Sequence, residues 1–322
     1  MVTVLSDSDV TELIDVDALL SPVEDALIKQ GAGDVERPER PHFPVGAGLE
    51  SDEPLGTGLT MPAYIHGNRF YVTKLASVHD GNSARDLPTV QAQIALTDAR
   101  TGRPQAFMAG TRITNARTGC IGGVAASALS SDPVRLAVIG AGAQARWQTR
   151  AIAATTTLEE VRVYSPSESK YECVSDLEAE GVPARAAETA ADAVEGATVV
   201  VTTTTSSEPV FPADALTDTE LVIAVGAYDE TMQELEPAVV DGAAILFADV
   251  PKEAAKTGDL RSTSYTAADL HPLSDALTGA RSPPAEGYAL VESVGSAVLD
   301  LAAATTVYEL AEENDVGTPV SL

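Results

Sequence analysis

Cysteine, tryptophan and lysine are scarce in this 322-residue chain, with two, one and five residues respectively. Cys120 and Cys173 cannot build a disulfide framework, and neither they nor the four histidines fall at metal-ligand spacing, so no metal is expected. No apolar run approaches the roughly 18 residues of a membrane span. The first residues, Met1 to Asp7, lack the basic start and apolar stretch of a secretory leader, which points to a cytoplasmic protein with no membrane partner. Positive charge is the sharpest deficit. Lys plus Arg number 20 against 48 Asp plus Glu, a formal net charge of −28. So acidic a chain is not built to neutralise the phosphates of nucleic acid. Disorder is excluded by a hydrophobic content of 44%. The acids are scattered rather than gathered in a tail, which suits a halophilic protein: at 1 M salt the Debye length shrinks to about 3 Å and a carboxylate-covered surface carries little repulsion. An ordinary acidic cytoplasmic protein is the alternative.

At roughly 150 residues per domain the length predicts two domains. Residues 3–31 read as a short strand and then helices, with Pro22 in the first turn of a new helix. Proline and glycine make residues 34–58 extended edge and loop. Strands follow at 58–64, 69–78 and 91–98, and alternation puts Phe70, Val72, Lys74, Ala76 and Val78 on one face. A hairpin turn at 101–104 leads to a return strand, and Arg117 to Leu129 reads as a small-sided helix that lets a ligand or a neighbouring element approach. From Val134 strands alternate with helices, and the runs at 135–139, 198–202, 221–225 and 244–247 have continuous apolar stretches of buried-strand length. Strands covered on both faces imply a parallel sheet. The fold class expected is therefore α/β: a Rossmann-type doubly wound parallel sheet over 131–290 and an α+β substrate and dimerisation domain over 1–130, completed by a C-terminal helix at 291–322.

The clearest chemical signal is Gly140-Ala-Gly142-Ala143-Gln144-Ala145, set between a strand and a helix. The strand must turn tightly at Gly140, and a side chain at Gly142 would block a pyrophosphate from the free amides and dipole of the helix. Where the second strand ends, at Tyr164-Ser165-Pro166-Ser167, the acid that binds an NAD ribose is missing, and Ser165, Ser167 and Lys170 suit a 2′-phosphate. The cofactor is thus NAD or NADP, with NADP favoured. Hydride chemistry also needs groups that hold a substrate. Arg40, Lys74 and Arg117 lie in apolar or non-repetitive surroundings where a solvated charge is not expected. A buried ammonium needs an anion or must lose its proton, so Lys74 is either a substrate or catalytic group or a member of a structural ion pair.

Several segments in order resemble the ornithine cyclodeaminase and mu-crystallin family, which includes archaeal alanine dehydrogenases and ketimine reductases. They are Arg37-Pro-Glu-Arg40, Met61-Pro-Ala-Tyr64, Thr73-Lys74, Ile113 to Thr118, the Gly140 fingerprint, Thr204 with Glu208-Pro209, Gly226 to Leu235, Gly258-Asp-Leu260, and Ser293-Val-Gly295 with Asp300. The resemblance implies that Arg40, Lys74 and Arg117 hold a substrate carboxylate. It also implies that Thr118, Thr204, Gly226, Tyr228 and Gly295 border the cofactor and that the first domain forms a homodimer. The implied partner is a small amino or imino acid, and the implied reaction is hydride transfer between its α-carbon and nicotinamide. Tyr228 stands where ornithine cyclodeaminases carry an aspartate, and Asp229 replaces it only if the loop shifts. Cyclodeamination is therefore the alternative activity, and non-catalytic NADP binding a second one. His79, just beyond Lys74, is a further acid/base candidate.

Overall fold

Period-2 alternation builds the first sheet. Along Phe70–Val78, Phe70, Val72 and Lys74 are buried while Tyr71 and Leu75 face out, so one face of the strand seals a core. The computed structural model describes residues 1–85 and 87–321, without the side chains of Asp80 and Ser83. The chain divides into two units, Met1–Arg117 with Ala297–Leu322, and Thr118–Ser296. These limits differ from those expected at 130 and 291. Helix Gly110–Leu129 starts earlier than the pattern suggested, and the division falls inside it.

In the first unit the strand order is Thr318–Val320, Val2–Leu5, Pro104–Ala109, Val90–Asp98, Phe70–Val78, Gly56–Ile65, Val35–Glu36, with His42–Val45 also on Gly56–Ile65. All these pairs are antiparallel except Val2–Leu5 with Pro104–Ala109. Helix Ala297–Asn314 packs on Phe70–Val78, on Gly56–Ile65 and on helix Val16–Ala32. Its buried residues include Val298, Leu299, Leu301, Val307 and Tyr308, and the Tyr308 ring meets Phe70 edge-on with centroids 5.5 Å apart. Two expectations are corrected here. Pro22 lies inside helix Val16–Ala32, not at the start of a new one, because Asp15 caps the helix seven residues upstream of the proline. The C-terminal helix begins at Ala297; residues Ala289–Glu292, fully buried, form a strand instead, and Gly295, at φ +78°, turns the chain between them.

That strand belongs to the second unit, whose sheet runs Ala184–Ala186, Leu158–Tyr164, Val134–Ile139, Val199–Thr202, Leu221–Ala224, Ala289–Glu292, Ile245–Ala248, His271–Pro272. Each pair is parallel. The chain winds one way from Val134–Ile139 and then returns to its other side at Val199–Thr202. That reversal opens a crevice at the carboxyl ends of the two strands, the position where such sheets bind ligands. The small residues of helix Gly110–Leu129 admit helix Ala143–Thr155: a Cβ on Gly119 would lie 2.6 Å from the Trp147 carbonyl oxygen, and one on Gly122 would lie 1.9 Å from Gln148 Oε1. A neighbouring element, not a ligand, occupies that stripe. Among the described residues, no helix is long and apolar enough to cross a membrane.

Candidate functional site

Alternation carries Lys74 to the inner face of the first sheet, opposite Met61 and Ile94. There its Nζ lies 2.6 Å from Asp300 Oδ2, and Arg117 Nε donates to Asp300 Oδ1 at 2.8 Å. All three side chains are buried, Asp300 completely. Burial pulls the Lys74 ammonium down from 10.5 to about 8; the Arg117 and Arg40 charges push the same way, and Asp300 opposes them. Burial favours the neutral form of Asp300, yet Arg117 and Lys74 outweigh it and hold the carboxyl below its usual range. Arg40, half-buried in the loop before His42–Val45, is near enough to act on Lys74. One carboxylate thus stands between two buried cations, and Arg117 Nη1 is buried with no hydrogen-bond partner among the described residues. The surplus positive charge and the open donor suit an organic anion.

The structure shows Lys74 in an ion pair with Asp300, and with Arg117 on the same carboxylate the cluster carries more positive than negative charge. Asp300 was missed as a site residue. Its signal was a single acid inside the apolar helical run Val298-Leu-Asp300-Leu-Ala-Ala-Ala304. His79, by contrast, places Nδ1 3.1 Å from the Leu55 carbonyl oxygen.

The second unit carries the glycine turn. Gly140 takes φ +111°, its amide donates to the Tyr164 carbonyl at 2.8 Å, and a Cβ there would lie 2.5 Å from Thr203 Oγ1. Gly142 caps helix Ala143–Thr155 without a side chain, no acid occupies the first turn, and nothing lies within 4 Å of where its Cβ would be. Ala143 and Gln144 open the helix, so its free amides face open space beside a glycine, a cradle that fits a pyrophosphate. Arg146 Nη1 steadies the turn by donating to the Ala141 and Gly142 carbonyls at 2.8 and 3.3 Å. The Thr118 carbonyl accepts from Gln148 Nε2 at 2.9 Å. Thr204, Gly226 and Gly295 follow the ends of adjacent parallel strands, on the same edge of the sheet as Gly140. A nicotinamide dinucleotide fits this edge.

At the ribose end, Ser165 Oγ lies 3.2 Å from Ser167 Oγ, which lies 2.6 Å from Ser169 Oγ. Lys170 departs from expectation. Its Nζ donates to the Ala187 carbonyl at 2.9 Å beside the rings of Tyr164 and Tyr171, so it braces the sheet edge. Tyr228 is half-buried in the loop after Leu221–Ala224. Asp229 Oδ1 accepts from the Thr231 amide and hydroxyl, both at 2.8 Å, and from the Met232 amide at 3.2 Å, a local turn that engages this oxygen.

The chain matches the ornithine cyclodeaminase/mu-crystallin family over residues 1–315. It is 32% identical over 291 residues to a Δ1-pyrroline-2-carboxylate reductase of Bacillus cereus, covering 87% of this chain and 89% of that one. It is 30% identical to the alanine dehydrogenase of Archaeoglobus fulgidus, covering 98% and 97%. In three dimensions it superposes with a TM-score of 0.92 on the Thermococcus litoralis Δ1-pyrroline-2-carboxylate reductase in complex with NADH and L-proline, at 28% identity and covering 99% of this chain and 100% of that one. An archaeal alanine dehydrogenase dimer with bound NAD gives 0.89 at 27% identity, covering 99% of each. This chain belongs to the ornithine cyclodeaminase/mu-crystallin family.

Proposed function

We propose that the chain is an NAD(P)H-dependent ketimine reductase acting on a small 2-imino acid, with the reverse oxidation of a 2-amino acid such as alanine or proline open to it. The observation that carries this reading is the buried centre in which Lys74 and Arg117 share one carboxylate, Asp300. A pure nucleotide store has no use for a second anion site. Arg117, through its open Nη1, and Arg40 bind the substrate carboxylate. Lys74 Nζ, titrating at about 8, gives a proton to the nitrogen in the reductive direction and takes it back in the oxidative one. Asp300 orients Lys74 and Arg117 and limits their mutual repulsion. The nicotinamide, when bound, supplies or accepts the hydride at the α-carbon. Gly140, Gly142, Ala143 and Gln144 hold the pyrophosphate, and Thr118, Thr204, Gly226, Tyr228 and Gly295 border the rest.

Cyclodeamination of ornithine is disfavoured, because Tyr228 is not an acid and Asp229 Oδ1 is engaged by its own turn. The serine chain and the absent ribose acid support acceptance of NADP(H). With Lys170 held on Ala187, only a modest preference over NAD(H) is expected. Exposed Val4, Tyr71, Leu75 and Phe107 support a homodimer through the outer face of the first sheet. A net charge of −28 supports a halophilic cytoplasmic protein, stabilised rather than unfolded by molar KCl.

Steady-state assays with pyrroline-2-carboxylate, piperideine-2-carboxylate, pyruvate plus ammonia, and ornithine, each with NADH and with NADPH, test the reading. Turnover of an imino acid or of pyruvate plus ammonia is expected. Proline formed from ornithine without net cofactor reduction would transfer the chain to the cyclodeaminases, and nucleotide binding without any turnover would make it a carrier. Light scattering in solution checks the dimer.

A further inference from the structure

The second unit buries four carboxylates, Glu234, Asp249, Asp259 and Glu292, and the reaction described above uses none of them directly. Glu234 is wholly buried and forms no ion pair among the described residues; it joins two loops. Its Oε1 accepts the Thr204 amide at 2.6 Å, and its Oε2 accepts the Gly226 amide and the Thr202 hydroxyl, each at 2.8 Å. Thr204 follows strand Val199–Thr202 and Gly226 follows the adjacent strand Leu221–Ala224, so one carboxylate clasps the ends of two parallel strands. The clasp is tight: a Cβ on Gly226 would lie 2.0 Å from the Thr204 carbonyl oxygen and 2.6 Å from Glu234 Oε1. The Glu234 backbone is itself fixed, since Asp259 Oδ1 accepts the amides of Glu234 and Leu235 at 2.6 and 2.7 Å. Asp249 repeats the device one strand over, accepting the Ser293 hydroxyl and the Val294 and Gly295 amides at 2.8–3.0 Å.

We propose that Glu234 is a positioning residue for the nicotinamide nucleotide, clasping the Thr204 and Gly226 loops at the carboxyl edge of the sheet in the spacing that nucleotide binding requires. The inference rests on the nucleotide site proposed above. Three donors converge on two oxygens, a pattern that only an acceptor on both sides satisfies. A glutamine keeps the shape but turns an NH2 toward one amide or the other, so one strand end loses its hold.

The test compares nucleotide and substrate constants in Glu234→Gln with those in Tyr288→Phe. Tyr288 donates to the Val239 carbonyl in the same unit without touching either loop, so its variant controls for general destabilisation. NADH or NADPH binding, read from the fluorescence of the reduced ring well below the melting temperature, is expected to weaken at least tenfold in Glu234→Gln and to stay within twofold of wild type in Tyr288→Phe. The KM for the imino acid is expected to stay within twofold, because the cations that hold it belong to the other unit. Unchanged nucleotide affinity in Glu234→Gln, or an equal loss in Tyr288→Phe, overturns the proposal. Should Glu234→Gln not fold, Thr202→Val removes one of the three donors; a two- to fivefold loss of nucleotide affinity supports the clasp and an unchanged affinity overturns it. A wild-type chain that binds neither nucleotide overturns both this proposal and the nucleotide site on which it rests.

Discussion

The two units bury charge in opposite ways. The first surrounds the Asp300 carboxylate with Lys74 and Arg117 and leaves positive charge in excess, whereas in the second the buried carboxylates of Glu234, Asp249 and Asp259 accept backbone amides. Ionic partners in the first unit keep Asp300 below its usual range, while burial in the second pushes Glu234, Asp259 and Glu292 upward. Where a cation centre is left under-neutralised, an anion from outside can complete it. Where carboxylates take amides from successive loops, they serve as fasteners.

The comparison breaks most sharply at Asp300. Asp300→Asn leaves two buried cations without their counter-ion, and a loss of about 3–5 kcal/mol in unfolding free energy is expected from denaturant titration, with turnover abolished. Lys74→Met removes one cation and keeps a similar stem. A fall in kcat of roughly 10²–10⁴-fold is expected, with nucleotide affinity unchanged by fluorescence. In the wild type, imine reduction should decline above about pH 8 as Lys74 loses its proton, and that limb should be absent from the residual activity of Lys74→Met. The same shift gives a sign for stability. Between about 8 and 10.5 the unfolded chain holds the Lys74 proton and the folded one does not, so this group's contribution rises with pH across that window and is least favourable below it.

Arg117→Lys retains charge but loses the fork, and a KM for the imino acid raised about tenfold is expected from steady-state kinetics. The gentlest change sharpens the other half of the comparison. Glu292 is fully buried with neither carboxyl oxygen hydrogen-bonded among the described residues, and burial together with Asp259, Glu234 and Asp249 pushes its pKa well above 4.5. The folded chain keeps this proton while the unfolded one releases it, so stability falls as pH rises above 4.5, by up to about 1.4 kcal/mol per pH unit. Glu292→Gln should flatten that slope in melting curves recorded from pH 5 to 8 and should leave stability near pH 5 almost unchanged.

Legibility along the chain followed locality. Alternation in Phe70–Val78 and the glycine turn at 140–142 needed only neighbours in sequence, and the structure places Lys74 inward and leaves the space beside Gly142 open. The helix expected from 291 takes in the end of strand Ala289–Glu292, because so short a segment takes its conformation from the two strands that receive it, Leu221–Ala224 and Ile245–Ala248. Lys170 looked like a phosphate ligand from its position after Ser167, but the Ala187 carbonyl that binds it comes from a later segment. Asp300 and Glu234 stood out only as parts of a motif, since their partners are 183 and 30 residues away for Arg117 and Thr204.

The order of residues alone determined a parallel sheet with a dinucleotide turn, an antiparallel sheet bearing a buried lysine, and a surface dense in carboxylate. Periodicity, glycine stereochemistry and net charge are properties of local sequence. Only the tertiary structure decided which charges meet: Asp300 between Lys74 and Arg117, Glu234 between two strand ends, Lys170 on a carbonyl. The reason is physical. A buried charge is stable only where specific partners surround it, and those partners come from segments that folding alone brings together.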